Sequence, residues 1–336
     1  MDILTHGLAS FAVARAFFPR AGRAAMVAAV AAGVIADADW ISGYFGPGPF
    51  LAWHRTCFHS VACALLFAAI VTLILRGIRK AGVEPSRFCT WQVFAASSCA
   101  ALLHIAMDAC QSDGVTLLWP FSSRSFALDW LPGFDAWILA ILLACIAVPE
   151  LLRLVSSEIG AKEKRPRGQT GALIGLGLLV LYIGVRATLH SNVIAALESR
   201  SFHGEAARRA RAFPESLSLL TWHGVVETDR ALDEIDVNAG ATSDLDADSS
   251  QERFKPEGSP ALEAAKNTAA AKQFLAGAQL PKASVERTET GYRVVIRDLR
   301  YSASGETDRE IIALIELDFN NRVTSAELLW ARDLLR

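Results

Sequence analysis

Residues 57–76 read CFHSVACALLFAAIVTLILR. Only His59 and Arg76 in that stretch carry a readily charged side chain, and both sit near its ends. A bilayer core is crossed by about 20 predominantly apolar helical residues. The stretch therefore predicts a membrane-spanning helix and places the chain among integral membrane proteins. Working outward, comparable runs occupy 91–111, 132–154 and 170–189. A weaker run covers 22–41 and ends in Asp37 and Asp39. The weakest, 3–18, is short and carries His6. Pro19 and Gly22 separate the last two and suit a tight helix–helix turn. A signal peptide is a poor reading of the N-terminus. Asp2 makes its first residues acidic, and Arg15, Arg20 and Arg23 follow the apolar run where a signal peptide would place them before it.

The charges are unevenly spread over the 336 residues. Residues 1–190 hold 15 Lys/Arg and 11 Asp/Glu, whereas 191–336 hold 18 and 24. The expected architecture is an α-helical integral membrane bundle of about six spans, residues 1–190, followed by a small α+β soluble domain, residues 191–336. A net charge of −2 and the absence of a basic face give no footprint for nucleic acid. All six cysteines lie in the apolar part and none forms a CxxC pair, which argues against a disulfide framework or a thiolate zinc ribbon.

Loops rich in Lys/Arg stay cytoplasmic. The 15–23, 76–90 and 153–169 loops are rich in them. The 42–56 and 112–131 loops hold only Arg55 and Arg124. Six spans with that alternation put both termini, and the soluble domain, outside the cytoplasm. Within residues 191–336, a polar helix is expected over 193–212 and a strand over 217–228. A mobile loop follows over 238–260, then an Ala-rich helix over 261–277. Strands are expected over 286–297 and 310–318, and an Asn320-Asn321 turn precedes a last element.

Ionisable residues inside spans are costly, and function is their default explanation. Here the topology set by Lys/Arg gathers them at one membrane face. They are His6, Asp37 and Asp39, then His54, Arg55 and His59, then His104 and Asp108, which are four apart and share a helix face. Two acids at a helix C-terminus oppose the macrodipole, so Asp37 and Asp39 call for a cation. Imidazole nitrogens with carboxylate oxygens suit Zn²⁺, Mn²⁺ or iron, as one or two divalent ions. Such an ion would activate water. Arg55 would hold an anionic group in its planar fork. Asp108, Asp37 and His54 all stay open as general base. The last two strong spans read as nearly free of buried charge. His190, His203 and His223 lack an acidic partner at ligand spacing along the chain.

Thr5-His6-Gly7, Asp37-Ala38-Asp39, His54-Arg55-Thr56-Cys57-Phe58-His59-Ser60, His104 with Asp108, and Trp119-Pro120-Phe121 together resemble a family of predicted membrane-bound metal-dependent hydrolases. This is the LexA-binding, inner membrane-associated type. The resemblance covers about residues 1–190. It implies metal ligation by His6, Asp39, His59, His104 and Asp108, with Asp37, His54 and Arg55 beside the site in catalytic roles. The chain departs from the pattern at Ala36, Trp40 and Phe58, none of which removes a His or Asp. The resulting expectation is an inner-membrane hydrolase acting on an ester or phosphoester, with a lipid or lipid-linked substrate entering from the bilayer. Two competing readings are a cation or proton transporter and a structural membrane protein whose metal staples helices together.

Overall fold

The computed structural model describes residues 1–80, 89–158, 168–303 and 310–335. Arg87, Lys162, Lys164, Arg165 and Arg167, which carry much of the expected cytoplasmic charge, lie outside the described residues. The chain forms two compact units. One comprises Met1–Asp39 and Arg55–Ala187, the other Trp40–His54 and Thr188–Arg336.

The first unit is helical. It contains α1 (Ile3–Phe17), α2 (Gly22–Val34), α4 (Val61–Lys80), α5 (Thr90–Ala109), α6 (Ala136–Glu158) and most of α7 (Gln169–Glu198). A 3₁₀ stretch, Ile35–Phe45, continues from α2, and a short 3₁₀ turn, Cys57–His59, precedes α4. Four helical stretches are long and apolar enough to cross a membrane: Gly22–Phe45, Val61–Ile78, Thr90–Ala109 and Gln169–Glu198. Ile3–Phe17 and Ala136–Leu151 are apolar but shorter.

Lipid tails are as apolar as leucine, so helices in a bilayer associate through close packing of small residues and through polar contacts. The core follows that rule. Ala25, Ala28, Ala29 and Ala32 of α2 meet Ala96 and Ala100 of α5 in one buried cluster. At Gly33 a Cβ would lie 1.8 Å from Ser10 Oγ, so only glycine lets α1 and α2 approach this closely. The bulky apolar side chains point the other way. Leu66, Leu73 and Ile74 of α4 and Val180 and Leu181 of α7 are exposed, as a lipid-facing surface requires.

The second unit is rich in sheet. A two-residue-per-strand ribbon, β1 (Ser201–Phe202) with β2 (Glu205–Ala206), leads into an antiparallel meander. That meander is β3 (Arg209–Pro214), β4 (Thr221–Glu227), β5 (Ala231–Asn238) and β6 (Gln251–Phe254), in the order β3-β4-β5-β6. A second meander, β7 (Pro281–Arg287), β8 (Gly291–Asp298), β9 (Ile311–Asp318) and β10 (Val323–Trp330), pairs in the order β10-β9-β8-β7. Helices α8 (Pro260–Lys266) and α9 (Ala269–Gly277) start at Ser259 and Thr268, whose side chains accept from Leu262 N and Ala271 N. A short α10 (Leu299–Ala303) follows β8.

Trp222 is fully buried beside Val193 and Leu197 at the end of α7. A Cβ at Gly224 would stand 2.9 Å from Leu197 Cδ1, so the bare backbone of β4 is what admits that leucine. The other sheet packs Val294, Ile296, Ile311, Ala313 and Ile315 against Leu262, Ala265, Ala271 and Phe274. Phe50 joins this second core from α3 (Pro47–Trp53).

Several local expectations are corrected. The stretch 193–212 is not one polar helix: α7 ends at Glu198, and β1 to β3 follow. Arg209 and Arg211 alternate with buried Ala210 and Ala212, a period of two that fits a strand. Residues 238–260 are not a bare loop. They hold two short 3₁₀ turns and β6, which pairs with β5. The 286–297 strand is a hairpin, β7 and β8, turning between Arg287 and Gly291. The 261–277 helix is broken in two at Asn267-Thr268, where Thr268 caps the second piece.

Candidate metal centre

His6 lies one turn into α1. Asp2 caps that helix, accepting from Thr5 N at 2.9 Å and from the Thr5 hydroxyl at 2.6 Å. His104 and Asp108 occupy one face of α5. Asp37 and Asp39 lie on the 3₁₀ stretch, where three residues make a turn. Residues two apart there diverge by about 120°. The two acids accordingly do different things. Asp37 Oδ1 lies 3.7 Å from His104 Nε2 and 4.0 Å from His59 Nε2. Asp39 Oδ2 turns away, accepts the Arg55 backbone N–H at 2.7 Å and faces His59 Nδ1 at 3.1 Å.

The imidazoles are oriented from behind. His104 Nδ1 lies 2.7 Å from the Gly33 carbonyl oxygen, which accepts only, so that nitrogen carries the proton. His104 Nε2 then presents a lone pair. His59 Nδ1 faces Asp39, and its Nε2 lies 3.2 Å from His104 Nε2. Asp108 adds negative charge at the same point. Its Oδ2 is 3.1 Å from His59 Nε2 and 3.4 Å from His104 Nε2, and its Oδ1 is 3.1 Å from His6 Nε2. Met1 N also lies 2.7 Å from Asp108 Oδ1. The His6 and His104 rings lie 3.8 Å apart, centroid to centroid.

His6, Asp37, His104 and Asp108 are all buried, and each offers one ligand atom within 4.8 Å of the others. This cluster could hold a metal ion. Asp37 Oδ2 and His6 Nδ1 are buried with no hydrogen-bond partner among the described residues. Buried polar atoms in native proteins are nearly always satisfied, so an ion is the missing complement that this donor set fits.

Arg55 borders the cluster. Its φ of 56° is a left-handed conformation that costs a non-glycine residue energy. The hydrogen bond from its N–H to Asp39 offsets that cost. Its Nη2 lies 2.5 Å from Gln111 Oε1 and 3.7 Å from both Asp108 Oδ1 and Asp113 Oδ2.

The structure thus brings together His6, Asp37, His59, His104 and Asp108, with Asp39 and Arg55 around them. Asp39 stands behind His59 and Asp37 points inward, the reverse of the expected assignment. The 3₁₀ geometry is the reason. His54 takes another course. Its ring stacks on Phe50 at 4.4 Å and meets the edge of Trp40 at 4.8 Å, within the second unit. The peptide between His54 and Arg55 marks the boundary of the two units, so adjacency in sequence does not make His54 a partner of Arg55.

Gln111 is missing from the sequence reading. Its Oε1 holds Arg55, and its Nε2 donates to the Pro132 carbonyl at 3.1 Å. The available signal is its place three residues after Asp108, just past the end of α5. Also missed is a second intramembrane cluster. Asp135 accepts from Trp137 N, Ile138 N and the Tyr182 hydroxyl, and fully buried Arg186 donates from Nε to the Trp130 carbonyl. The last two helical segments are therefore not free of buried charge. Outside this unit, cross-strand neighbours supply acids to histidines that lack them along the chain. His223 Nδ1 lies 2.8 Å from Asp236, and His203 Nε2 lies 3.5 Å from Asp233.

No curated protein and no solved structure matches the chain. Three of the four long apolar helical stretches, most of the fourth, and the buried His/Asp cluster fall within the reach of one family model, described as YdjM inner membrane protein, which matches residues 1–193. That is more than half of the chain, and the chain belongs to the YdjM inner membrane protein family.

Proposed function

We propose that the protein is a metal-dependent membrane hydrolase that cleaves an ester or phosphoester, with a lipid or lipid-linked substrate. In this reading α1 and the apolar Ala136–Leu151 part of α6 also insert, giving six spans, and the sheet-rich unit is extracytoplasmic. The observation that carries the proposal is the facing pair of Nε2 atoms on His59 and His104, with Asp108 and Asp37 alongside. Such a focus of lone pairs and carboxylates is stable around a divalent cation, and nitrogen and oxygen donors without thiolate suit Zn²⁺, Mn²⁺ or iron. An ion held there by His6, Asp37, His59, His104 and Asp108 would supply Lewis acidity toward a water and toward the substrate oxygen.

The chain's own residues supply the remainder. Arg55, anchored by Gln111, binds the anionic oxygen of the substrate and stabilises charge that grows on it. Asp37 Oδ2 takes the proton from the attacking water: it has no hydrogen-bond partner among the described residues, whereas Asp108 Oδ2, which also has none, lies against two imidazoles. His54 has no part in this chemistry. Asp39 and the Gly33 carbonyl fix the two imidazoles, a positioning role.

The test combines elemental analysis of the detergent-purified protein with a panel of phosphoester and carboxylester substrates, lipids included. Wild type, Arg55→Ala and His59→Ala are compared. Arg55→Ala should keep its metal and lose about 10²-fold in turnover. His59→Ala should lose both metal and turnover. Equal activity in all three would mean a contaminant and end the catalytic reading. Metal without turnover on any substrate, with destabilisation only in ligand variants, would favour the helix staple. Reporter fusions after Arg124 and Arg336 test the topology, and a cytoplasmic signal at Arg336 would overturn the side proposed for the sheet-rich unit.

A further inference from the structure

The second unit contains a cavity of about 450 Å³, within the size range of small-molecule sites. Its apolar lining is Leu232, Leu262, Leu275, Leu280 and Ile296. Four cations also line it: Arg209, Lys255, Lys266 and Lys282, with Glu227 as the acid. Two of the cations are neutralised locally. Lys255 Nζ donates to Glu227 at 2.7 Å, and Lys266 Nζ donates to Glu263 at 2.9 Å. Arg209 lies opposite Glu227 in the β3–β4 register, but that carboxylate already serves Lys255. Lys282 lies opposite Arg297 in the β7–β8 register. Like charges placed directly across a sheet are destabilising, and Glu310, 4.0 Å from Arg297, relieves only that side of the pair. Burial, together with the nearby Arg253 and Arg297, lowers the pKa of the Lys282 ammonium against the opposing pull of Glu234.

We infer that this cavity binds a single-chain alkyl phosphate monoester, the chain on the leucine floor and the phosphate between Arg209 and Lys282. A phosphate monoester carries about −1.5 to −2 charges near neutral pH, which matches two cations whose neighbouring acids, Glu227 and Glu234, already serve Lys255 and Arg253. An alcohol of the same chain would leave them unmatched, and inorganic phosphate would leave the floor uncovered. The inference stands apart from the proposed hydrolase chemistry, because it uses no residue of the His/Asp cluster.

Full-length protein in phosphatidylcholine nanodiscs would be titrated with octyl phosphate by calorimetry, with empty nanodiscs subtracted for partitioning. One octyl phosphate should bind per chain, at least tenfold more tightly than inorganic phosphate, octanol or octanoate. Arg209→Gln with Lys282→Gln should weaken it at least tenfold while leaving the thermal midpoint nearly unchanged, since both side chains reach the surface. Binding should persist after chelation of metal. Equal affinity in wild type and double variant would overturn the assignment, as would inorganic phosphate or octanol binding as tightly as octyl phosphate. Loss of binding on chelation would place the phosphate at the His/Asp cluster and also overturn it, without touching the hydrolase reading.

Discussion

The helical unit buries two polar clusters, and they differ in whether their carboxylates find donors. At Asp135 both oxygens do. Its Oδ1 accepts from Trp137 N, Ile138 N and Tyr182, its Oδ2 accepts from Tyr182 again, and Arg186 supplies the positive charge. Around Asp108 acceptors converge in excess. Three imidazoles and two carboxylates meet, and Asp37 Oδ2 finds no donor among the described residues. A carboxylate with both oxygens satisfied explains itself as structure, whereas the donor set around Asp108 could hold a metal ion. Both lie among helices of an inner membrane protein family, four of whose stretches are long and apolar enough to cross a membrane.

The sharpest way to break this contrast is to remove the centre of the Asp108 cluster. Asp108→Asn takes away the carboxylate that faces three imidazoles, and metal per chain, measured by elemental analysis, should fall to background. Retention of stoichiometric metal would show that the cluster is not its site. Arg186→Met attacks the Asp135 cluster instead. Leaving Asp135 buried without its cation should destabilise the protein by about 3 kcal/mol or more in detergent unfolding, with metal content unchanged. Loss of metal in that variant would mean that the two clusters are one cooperative network. Asp39→Asn probes the layer behind His59. Weakened orientation of the imidazole should reduce metal affinity about 10- to 100-fold in chelator competition, a smaller effect than losing Asp108. An unchanged affinity would remove Asp39 from the site.

The smallest effect lies in the second unit, where a histidine has acids enough and needs no metal. Burial lowers the His223 pKa, but hydrogen bonds to Glu234 and Asp236 outweigh it, and the net shift is upward. A pKa raised in the folded state stabilises below the unfolded value near 6.5 and loses that contribution as pH rises through the folded value. Wild type should therefore gain on the order of 0.5 kcal/mol over His223→Gln at pH 5.5, a gain that disappears at pH 8.5. Thermal midpoints of both proteins across that range would show it, and a pH-independent difference would contradict it.

The residues of the candidate metal centre were legible because an apolar background makes each charged group conspicuous. His6, Asp37, His59, His104 and Asp108 stand out against an apolar background for that reason alone. Gln111, Asp135 and Arg186 were harder. The first is uncharged, and Asp135 lies at a helix start where loops also begin. Arg186 sits near the end of its apolar run, where a snorkelling arginine reads the same as a buried one. In the sheet-rich unit, acids that serve His203 and His223 sit tens of residues or one strand away, and linear spacing carries no trace of register.

What the sequence determined is the division of labour. Long apolar runs require helices because every backbone group in a bilayer must be satisfied within its own segment. Alternating patterns after residue 200 require strands because side chains on a strand alternate faces. What only the tertiary structure decided is which of two neighbouring acids enters the cluster and which of two neighbouring residues, His54 or Arg55, belongs to it. Both choices turn on local backbone geometry. A 3₁₀ turn sends Asp37 and Asp39 in different directions, and a left-handed Arg55 held by Asp39 ends the segment that His54 shares with Trp40 and Phe50. A single pattern of His and Asp along the chain is compatible with either outcome, because the direction of a side chain is set by dihedral angles that residue spacing does not encode.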